Sequence, residues 1–357
     1  MWLQKLQVQG LRCFSQCELV FSQGINVING DNGAGKTSVL EAISVLSYGK
    51  SFRTSKLKDV IHRNSDEMTL FGEVNSGDDN HILLGARTGS GFRELHVNQE
   101  KVSKWSELAI KLPVLEIHPE SYILIMGGPA ERRKFLNWGM FHVEPSYARL
   151  WSEYTRAIKQ RNSCLRFKQI EQARYWNKSL AEHGESIAHY LTKYTKDIAP
   201  IIGEISSLFS ISDELNLSYY PGWDQDIQLE TLLKNELDGE EIPGSTQFGP
   251  HRGDLRITWQ NKPFSRVSSR GQQKALSIAF KLAQARLLKN ESGKSSIYLI
   301  DELPAELDSQ SRETALTLLG QLNAQVIITA VSKESVDYIN NDIKWFHVER
   351  GHVTAMV

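Results

Sequence analysis

Long apolar runs are missing from this chain of 357 residues: no segment approaches the 18 or more consecutive apolar positions that a membrane span requires. Cysteine is scarce too. Cys13, Cys17 and Cys164 make an odd count without CxxC spacing, which argues against a disulfide framework or a zinc site and for reduced thiols of a cytoplasmic protein. The opening residues lack the apolar core and cleavage site of a signal peptide and read as a first strand. Excess charge of either sign is absent, since the net charge is −1, so total charge argues neither for nor against a nucleic-acid partner. No heptad pattern persists for three or more repeats, which excludes a long coiled coil. Repeats, low-complexity tracts and a disordered tail are absent as well. A hydrophobic content of 40% and a charged content of 23% are those of an ordinary globular chain, long enough for one large core or two moderate ones.

What is present is a glycine loop. Gly30, Asp31, Asn32, Gly33, Ala34, Gly35, Lys36 and Thr37 match the pattern GxxxxGK[ST] at every defined position. The glycines permit backbone angles that let successive N–H groups turn inward around an anion. Lys36 is expected to reach the β- and γ-phosphates of a nucleoside triphosphate, Thr37 to ligate the accompanying Mg²⁺, and Ser38 to continue the cradle. Ile25, Val27 and Ile28 precede the loop as a strand, and Leu40, Ile43 and Leu46 follow on one helical face. Strand, glycine loop and helix are the order in which a helix N-terminus meets phosphate; the bland alternative is a chance glycine turn.

A second half of such a site lies far downstream. The apolar stretch Ile297 to Ile300 ends in Asp301 and Glu302, the Walker B arrangement. Asp301 is expected to hold Mg²⁺ and Glu302 to orient and polarise the attacking water as a general base. Six residues later Asp308 occupies the place of a D-loop. Upstream, Ser268 to Lys274 resembles the Leu-Ser-Gly-Gly-Gln signature of ABC-type ATPases, with Ser269, Gly271 and Gln272 at matching positions and Arg270 replacing the first glycine. A hydroxyl, a glycine N–H and a helix N-terminus make a second anion cradle. One chain needs one cradle for its own ATP, so a second implies a head-to-tail dimer with ATP clamped between subunits.

Charge is unevenly spread. Leu255 to Asn290 contains no Asp or Glu and eight basic residues; Arg156 to Lys178 contains seven against only Glu171, with Phe167, Tyr175 and Trp176 among them. Arg132, Arg133 and Lys134 form a third cluster. Each alone could be a solvated face, yet together they favour directed patches for nucleic acid. Tyr175 and Trp176 beside Arg174 and Lys178 are candidates for base stacking, whereas Trp138 and Trp151 read as core. His118, His142 and His251 read as structural, since none has a metal-ligand partner at suitable spacing.

The expected fold class is α/β: a P-loop core with antiparallel strands at the N-terminus, and a mainly helical second lobe. Residues 1–120 with 295–357 form the first lobe. Residues 121–294 form the second, with a helical insertion over about 131–208, punctuated by Pro145 and Pro200, and the signature motif at 268–274. Strands are expected at Leu3 to Phe14, Cys17 to Phe21, Met68 to Val74, His81 to Ala86 and Phe92 to Val97. Pro113 to Ile117 should close that region as one more strand.

On these residues the chain resembles the RecF family, bacterial recombination-mediator ATPases related to SMC-type ATPase heads, over nearly its whole length. The matching segments are Gly30 to Glu41 with Tyr48 to Arg53, Gly127 to Leu136, Gly249 to Arg252, Ser269 to Lys274, and Asp301 through Asp308. The resemblance implies an ABC/SMC-like head that binds ATP, dimerises with it, and binds duplex DNA or duplex–single-strand junctions. It further implies weak DNA-linked ATPase activity in repair and replication-fork maintenance, with RecO and RecR as partners that help load RecA. No switch histidine occurs near Val326 to Ser335, where Thr329, Ser332 and Lys333 are the polar candidates. Gly253 separates Gly-Pro-His-Arg from Asp254. The alternative from another class is the ATPase subunit of a membrane transporter, which explains both Walker motifs but neither the basic stretches nor the insertion. A full SMC protein needs heptads between Thr37 and Ser269, and a P-loop kinase needs no Ser269 element.

Overall fold

Alternating burial turns the first hundred residues into strands. In the computed structural model, Met68, Leu70 and Val74 of one strand face inward while their sequence neighbours remain partly exposed, the period of two that a half-buried sheet imposes. The structure describes residues 1–54, 56–77, 80–211, 214–239, 241–302, 307–321, 324–331 and 343–356. They divide into two compact units, Met1–Ser121 with Ile278–Val357, and Tyr122–Ser277.

In chain order the first unit opens with β1 (Trp2–Leu11), β2 (Phe14–Val20), β3 (Ile25–Asn29), α1 (Lys36–Tyr48), β4 (Glu67–Asn75), β5 (His81–Gly89), β6 (Phe92–Val97), β7 (Glu100–Val102), α2 (Trp105–Ala109) and β8 (Val114–Ile117). The second contains α3 (Ile123–Met126), α4 (Pro129–Val143), α5 (Tyr147–Arg166), α6 (Ile170–Arg174), α7 (Asn177–Ser207), β9 (Leu215–Tyr220), α8 (Leu229–Asp238), β10 (Asp254–Trp259), β11 (Lys262–Pro263) and α9 (Phe264–Val267). Then α10 (Arg270–Ser292) leads back to β12 (Ile297–Ile300), α11 (Ser309–Gln321), β13 (Val326–Ala330), β14 (Ile343–Glu349) and β15 (His352–Met356). The division between units falls inside α10, after Ser277, whereas a boundary drawn from the sequence lies behind that helix at 294. A helix of 23 residues runs about 35 Å and can belong to both.

Two six-stranded sheets build the first unit. One is antiparallel, in the order β2-β1-β4-β5-β6-β7; the other is β15-β14-β3-β13-β12-β8, parallel except for the β14–β15 hairpin. Helix α1 touches β1, β4 and β5 of the first sheet and β13 of the second. Its apolar residues Val39, Leu40, Ile43, Val45 and Leu46 are all buried, as expected of a helix with no solvent face. Gly72 makes this close approach possible, since a Cβ there would come within 2.6 Å of Leu46. Each such buried aliphatic side chain contributes on the order of 1.5–3 kcal/mol.

The strand expected at Pro113 to Ile117 forms as β8, and it pairs in parallel with β12, far downstream, joining the site-bearing sheet. One sequence expectation needs correcting: Pro200 does not punctuate a helix. α7 runs straight through it for 31 residues, held by Ile198, Ile202 and Ile205, all buried. Tertiary burial thus overrides the lost amide and the steric penalty of an interior proline, about 3 kcal/mol.

In the second unit α7 packs against α4, α5, α8 and β9, and β9, β10 and β11 form a three-stranded antiparallel sheet. At its centre Arg161 of α5 is fully buried, bonded to Asn177, Thr246 and the Leu233 carbonyl and ion-paired with Glu236. Thr246 in turn offers its carbonyl to the His251 ring at 3.0 Å, so the buried ion pair supports the Gly249 to Arg252 turn.

Candidate functional site

The glycine loop lies between β3 and α1 and presses on its surroundings. Gly30, Gly33 and Gly35 take φ of 152°, 81° and 117°, angles a side chain would strain. A Cβ on Gly30 would collide with the Val348 carbonyl of β14, and one on Gly35 would come within 2.5 Å of Cys13 Sγ. A Cβ on Gly33 would meet nothing, so that residue faces open space. Helix α1 begins at Lys36 with no side-chain cap and no acidic residue in its first turn. Its leading amides therefore keep their positive end free for an anion.

Lys36 is only 5% exposed and donates through Nζ to the carbonyls of Gly30 at 2.8 Å and Asp31 at 3.1 Å. Thr37 Oγ1 donates to Asp301 Oδ1 at 2.8 Å, across 264 positions of sequence. The two halves of the expected site therefore meet. Thr329 on β13 joins them: its hydroxyl donates to Asp301 Oδ1 at 2.9 Å and accepts the Glu302 amide at 2.9 Å. Glu302 sits just past the end of β12 in a left-handed conformation, φ 47°, uncommon for a residue with a side chain and found disproportionately at functional sites.

A cavity of about 830 Å³ opens over the loop, within the size range of ligand pockets. Arg12, Lys36, Arg53, Arg63 and Arg350 line it, against Asp59 and Glu302, so its walls favour a polyanion. Arg12 is fixed in the turn between β1 and β2. It grips fully buried Glu41 of α1 by two bonds, of 2.6 and 3.0 Å, and Ser51 donates to the same carboxylate. The residues fit a nucleotide and its metal: an uncapped helix start and glycine cradle suit phosphate, and a hydroxyl beside a carboxylate are the hard oxygen donors Mg²⁺ prefers.

Asn32, Gly33, Gly35, Lys36, Thr37, Ser38 and Glu302 all line this cavity. Ser269, Gly271, Gln272 and Asp308 do not. Ser269 and Gln272 form a reciprocal capping box at the start of α10: the Ser269 amide bonds Gln272 Oε1 at 2.9 Å, and the Gln272 amide bonds Ser269 Oγ at 3.3 Å. Asp308 accepts the amide and hydroxyl of Ser311 at the start of α11, and these bonds hold its carboxyl below the usual range. Glu306, Ser332 and Lys333 lie outside the described residues. Among the described residues no group of three or more His, Cys, Asp or Glu is placed to hold a metal.

Elsewhere the structure assigns plain duties to residues singled out in the sequence. His251 is wedged between the Tyr154 hydroxyl, 2.6 Å away, and the Thr246 carbonyl; burial pushes its pKa down to about 4. The cluster at 132–134 is largely spent on internal contacts. Arg132 grips Asp254 bidentately and the Gly127 carbonyl, Arg133 bonds the Gly253 carbonyl, and Lys134 pairs with Glu131. Sequence reasoning missed Arg12, which follows no motif, and its pairing with Glu41, which depends on the meeting of a hairpin turn with α1.

A glycine loop sandwiched between an antiparallel and a mainly parallel sheet, closed by a strand-end carboxylate and followed by a helical lobe, defines an ABC/SMC-like ATPase head. Residues 2–354 match the RecF/RecN/SMC N-terminal domain family. The chain is similar along its full length, and theirs, to DNA replication and repair protein RecF of Shewanella loihica (36% identity) and of Shewanella putrefaciens (37%). Among solved structures it resembles the recombination mediator protein RecF-ATP of the RecFOR pathway, with a TM-score of 0.86 and 27% identity over 100% of this chain and 98% of that one. An SMC head bound to the C-winged helix domain of ScpA shares the fold alone, at TM-score 0.60 and 16% identity over 100% of this chain and 97% of that one. The chain belongs to the RecF family. That membership sets aside the transporter-subunit alternative.

Proposed function

We propose that this RecF-family chain is a DNA-repair and replication-fork protein switched by ATP. The observation that carries the reading is the 2.8 Å contact of Thr37 with Asp301, which places a hydroxyl and a carboxylate together beside a cationic cavity. The loop amides and Lys36 receive the phosphates of ATP, and Thr37 and Asp301 hold Mg²⁺. The metal, when bound, neutralises charge on the phosphate oxygens. Glu302, aimed into the cavity from a strained backbone, accepts a proton from the attacking water. Thr329 fixes both carboxylate-bearing residues, through the Asp301 side chain and the Glu302 amide. Arg12, Arg53 and Arg63 supply further positive charge along the cavity wall.

ATP then bridges two copies, with Ser269, Gly271 and Gln272 of each approaching the γ-phosphate of the other and Asp308 lying along the shared face. The capping box is compatible with that role, because it leaves the amides of Arg270 and Gly271 pointing out of the start of α10. Dimerisation unites cationic surfaces and so couples ATP to binding of duplex and duplex–single-strand junction DNA, and slow hydrolysis releases both. A dimer contacting about six phosphates would lose roughly a thousandfold in affinity between ~50 and ~200 mM salt. RecO and RecR are the expected partners, RecA loading the process served, and the cytoplasm the location.

Lys36→Ala tests the reading. It should abolish ATP binding, ATP-driven dimerisation and tight DNA binding together, measured by calorimetry, mass and DNA affinity. Unchanged ATP binding would refute the loop assignment. Dimerisation without DNA affinity in the wild-type chain would refute the repair switch.

A further inference from the structure

The segment 167–176, which joins α5 to α7 and includes α6, holds the two most exposed aromatic side chains among the exposed large hydrophobics of the described residues, Phe167 at 73% and Tyr175 at 83%. Aromatic surface left in water to this extent is available for a ligand to cover. The segment is not loose. Leu165, Ala173 and Leu237 form a small buried core beneath it, with Cys164 and Ile170 packed against them. The Gln169 amide bonds the Cys164 carbonyl at 2.9 Å, and the Trp176 amide bonds the Ala173 carbonyl at 3.1 Å. The backbone that carries the two rings is thus held in place.

Cations lead to that segment. Arg156, Lys159 and Arg166 follow one another at +3 and +7 along α5, a spacing that keeps them within one face over about 15 Å, ending beside Phe167. All three are exposed, as is Lys168 after α5, and none of these four side chains has an ion-pair or hydrogen-bond partner among the described residues. Arg174, by contrast, is paired with Asp238 and Glu171, and Lys178 lies 4.0 Å from Glu182. Unpaired cations in a row favour a chain of phosphates, and flat rings at their end favour unstacked bases.

We infer that the α5 cation row and the Phe167–Tyr175 platform form a binding site for single-stranded DNA, with phosphates tracking Arg156, Lys159 and Arg166 and bases stacking on the two rings. The inference rests on the DNA-binding reading above and gives it a location: the surface that takes the single-stranded arm of a junction. Nothing in the site reads base edges, so binding is indifferent to sequence. An apolar protein partner would want aliphatic surface around the rings, and Ile170, in the same segment, is partly buried against the core beneath.

The test uses the full chain with ATP and two probes, a blunt duplex and the same duplex with a single-stranded tail carrying 2-aminopurine. Phe167→Ala with Tyr175→Ala should weaken binding of the tailed duplex by about thirtyfold or more, leave the blunt duplex unchanged, and abolish the fluorescence quenching that stacking causes. Phe167→Tyr should retain both affinity and quenching. Replacing Arg156, Lys159 and Arg166 by Ala should reduce the magnitude of the salt slope for the tail by about 2, as three single-strand phosphate contacts require. Equal loss on both probes, or no loss on the tail, would overturn the inference. So would unchanged DNA binding in a variant that instead loses an acidic protein partner. A wild-type chain that binds neither probe would defeat the underlying DNA-binding reading, a result distinct from tail binding that ignores the aromatic changes.

Discussion

Replacing Arg161 with Met removes the cation at the centre of the second unit while nearly preserving its volume. The native guanidinium donates to Asn177 Oδ1 at 2.9 Å, Thr246 Oγ1 at 2.8 Å and the Leu233 carbonyl at 3.0 Å. It also forms an ion pair with Glu236 Oε2 at 2.8 Å, off the line of a hydrogen bond. Burial lowers the guanidinium pKa, and the nearby Glu236 charge opposes that shift. In the variant, Glu236 keeps the Gln247 amide on Oε1 but loses the charge that balanced it. An uncompensated buried carboxylate costs about 3–5 kcal/mol, a large share of the ~5–15 kcal/mol that ordinarily holds a domain folded. The companion variant Arg161→Met with Glu236→Leu removes both charges. Its loss should be smaller, about 1–3 kcal/mol, arising from the Gln247 amide and the polar groups left without partners. Native-state amide exchange of α5, α7 and α8 measures both numbers locally, without assuming that the two units unfold together. A double variant no more stable than the single one would refute the argument that an unpaired charge is the source of the penalty.

Three further outcomes are expected. Glu302→Gln should slow ATP hydrolysis by ~10²–10⁴-fold while the dimer and its DNA complex outlive those of the wild type; turnover at the normal rate would exclude the general-base role. Ser269→Asp keeps a helix-capping oxygen on α10 but sets a negative charge at the proposed second cradle. Single-copy ATP binding should survive and dimerisation fail, and an ATP-driven dimer of normal stability by sedimentation would defeat the trans arrangement. The partly buried rings of His118 and His251 each have a pKa lowered by burial from 6.5 to about 4, so below pH 6.5 the unfolded chain takes up protons that the folded chain refuses. Stability is complete above that pH and falls as pH drops toward 4, by about 3 kcal/mol for each ring. His251→Gln should remove one proton from the slope of unfolding free energy against pH.

The nucleotide half of the candidate site was legible because local chemistry dictates it. A loop that must wrap an anion needs glycine at fixed intervals, and Gly30, Gly33 and Gly35 announce it whatever the rest of the chain does. The carboxylates at 301 and 302 announced themselves in the same way, by ending an apolar strand. Short apolar segments between turns named most strands of the antiparallel sheet, and the helical character of about 131–208 anticipated α5 and α7. Those are short-range regularities, and a linear sequence carries them.

Contacts between distant segments are another matter. Nothing local pairs β8 with β12, carries α7 through Pro200, or joins Arg12 to Glu41, because each depends on which buried surfaces meet after the chain closes. The basic clusters make the point most sharply. As sequence, Arg132 to Lys134 and Arg156 to Lys178 are alike in charge. In the folded chain the first is consumed by Asp254, Glu131 and two backbone carbonyls, whereas the second divides into buried Arg161, paired Arg174 and an unpaired row on α5. Residue type and spacing determined that this chain would carry a glycine loop and helix start shaped for phosphate. Whether a cation is neutralised inside or left free for a ligand depends on distances between segments, and only the tertiary structure decides them.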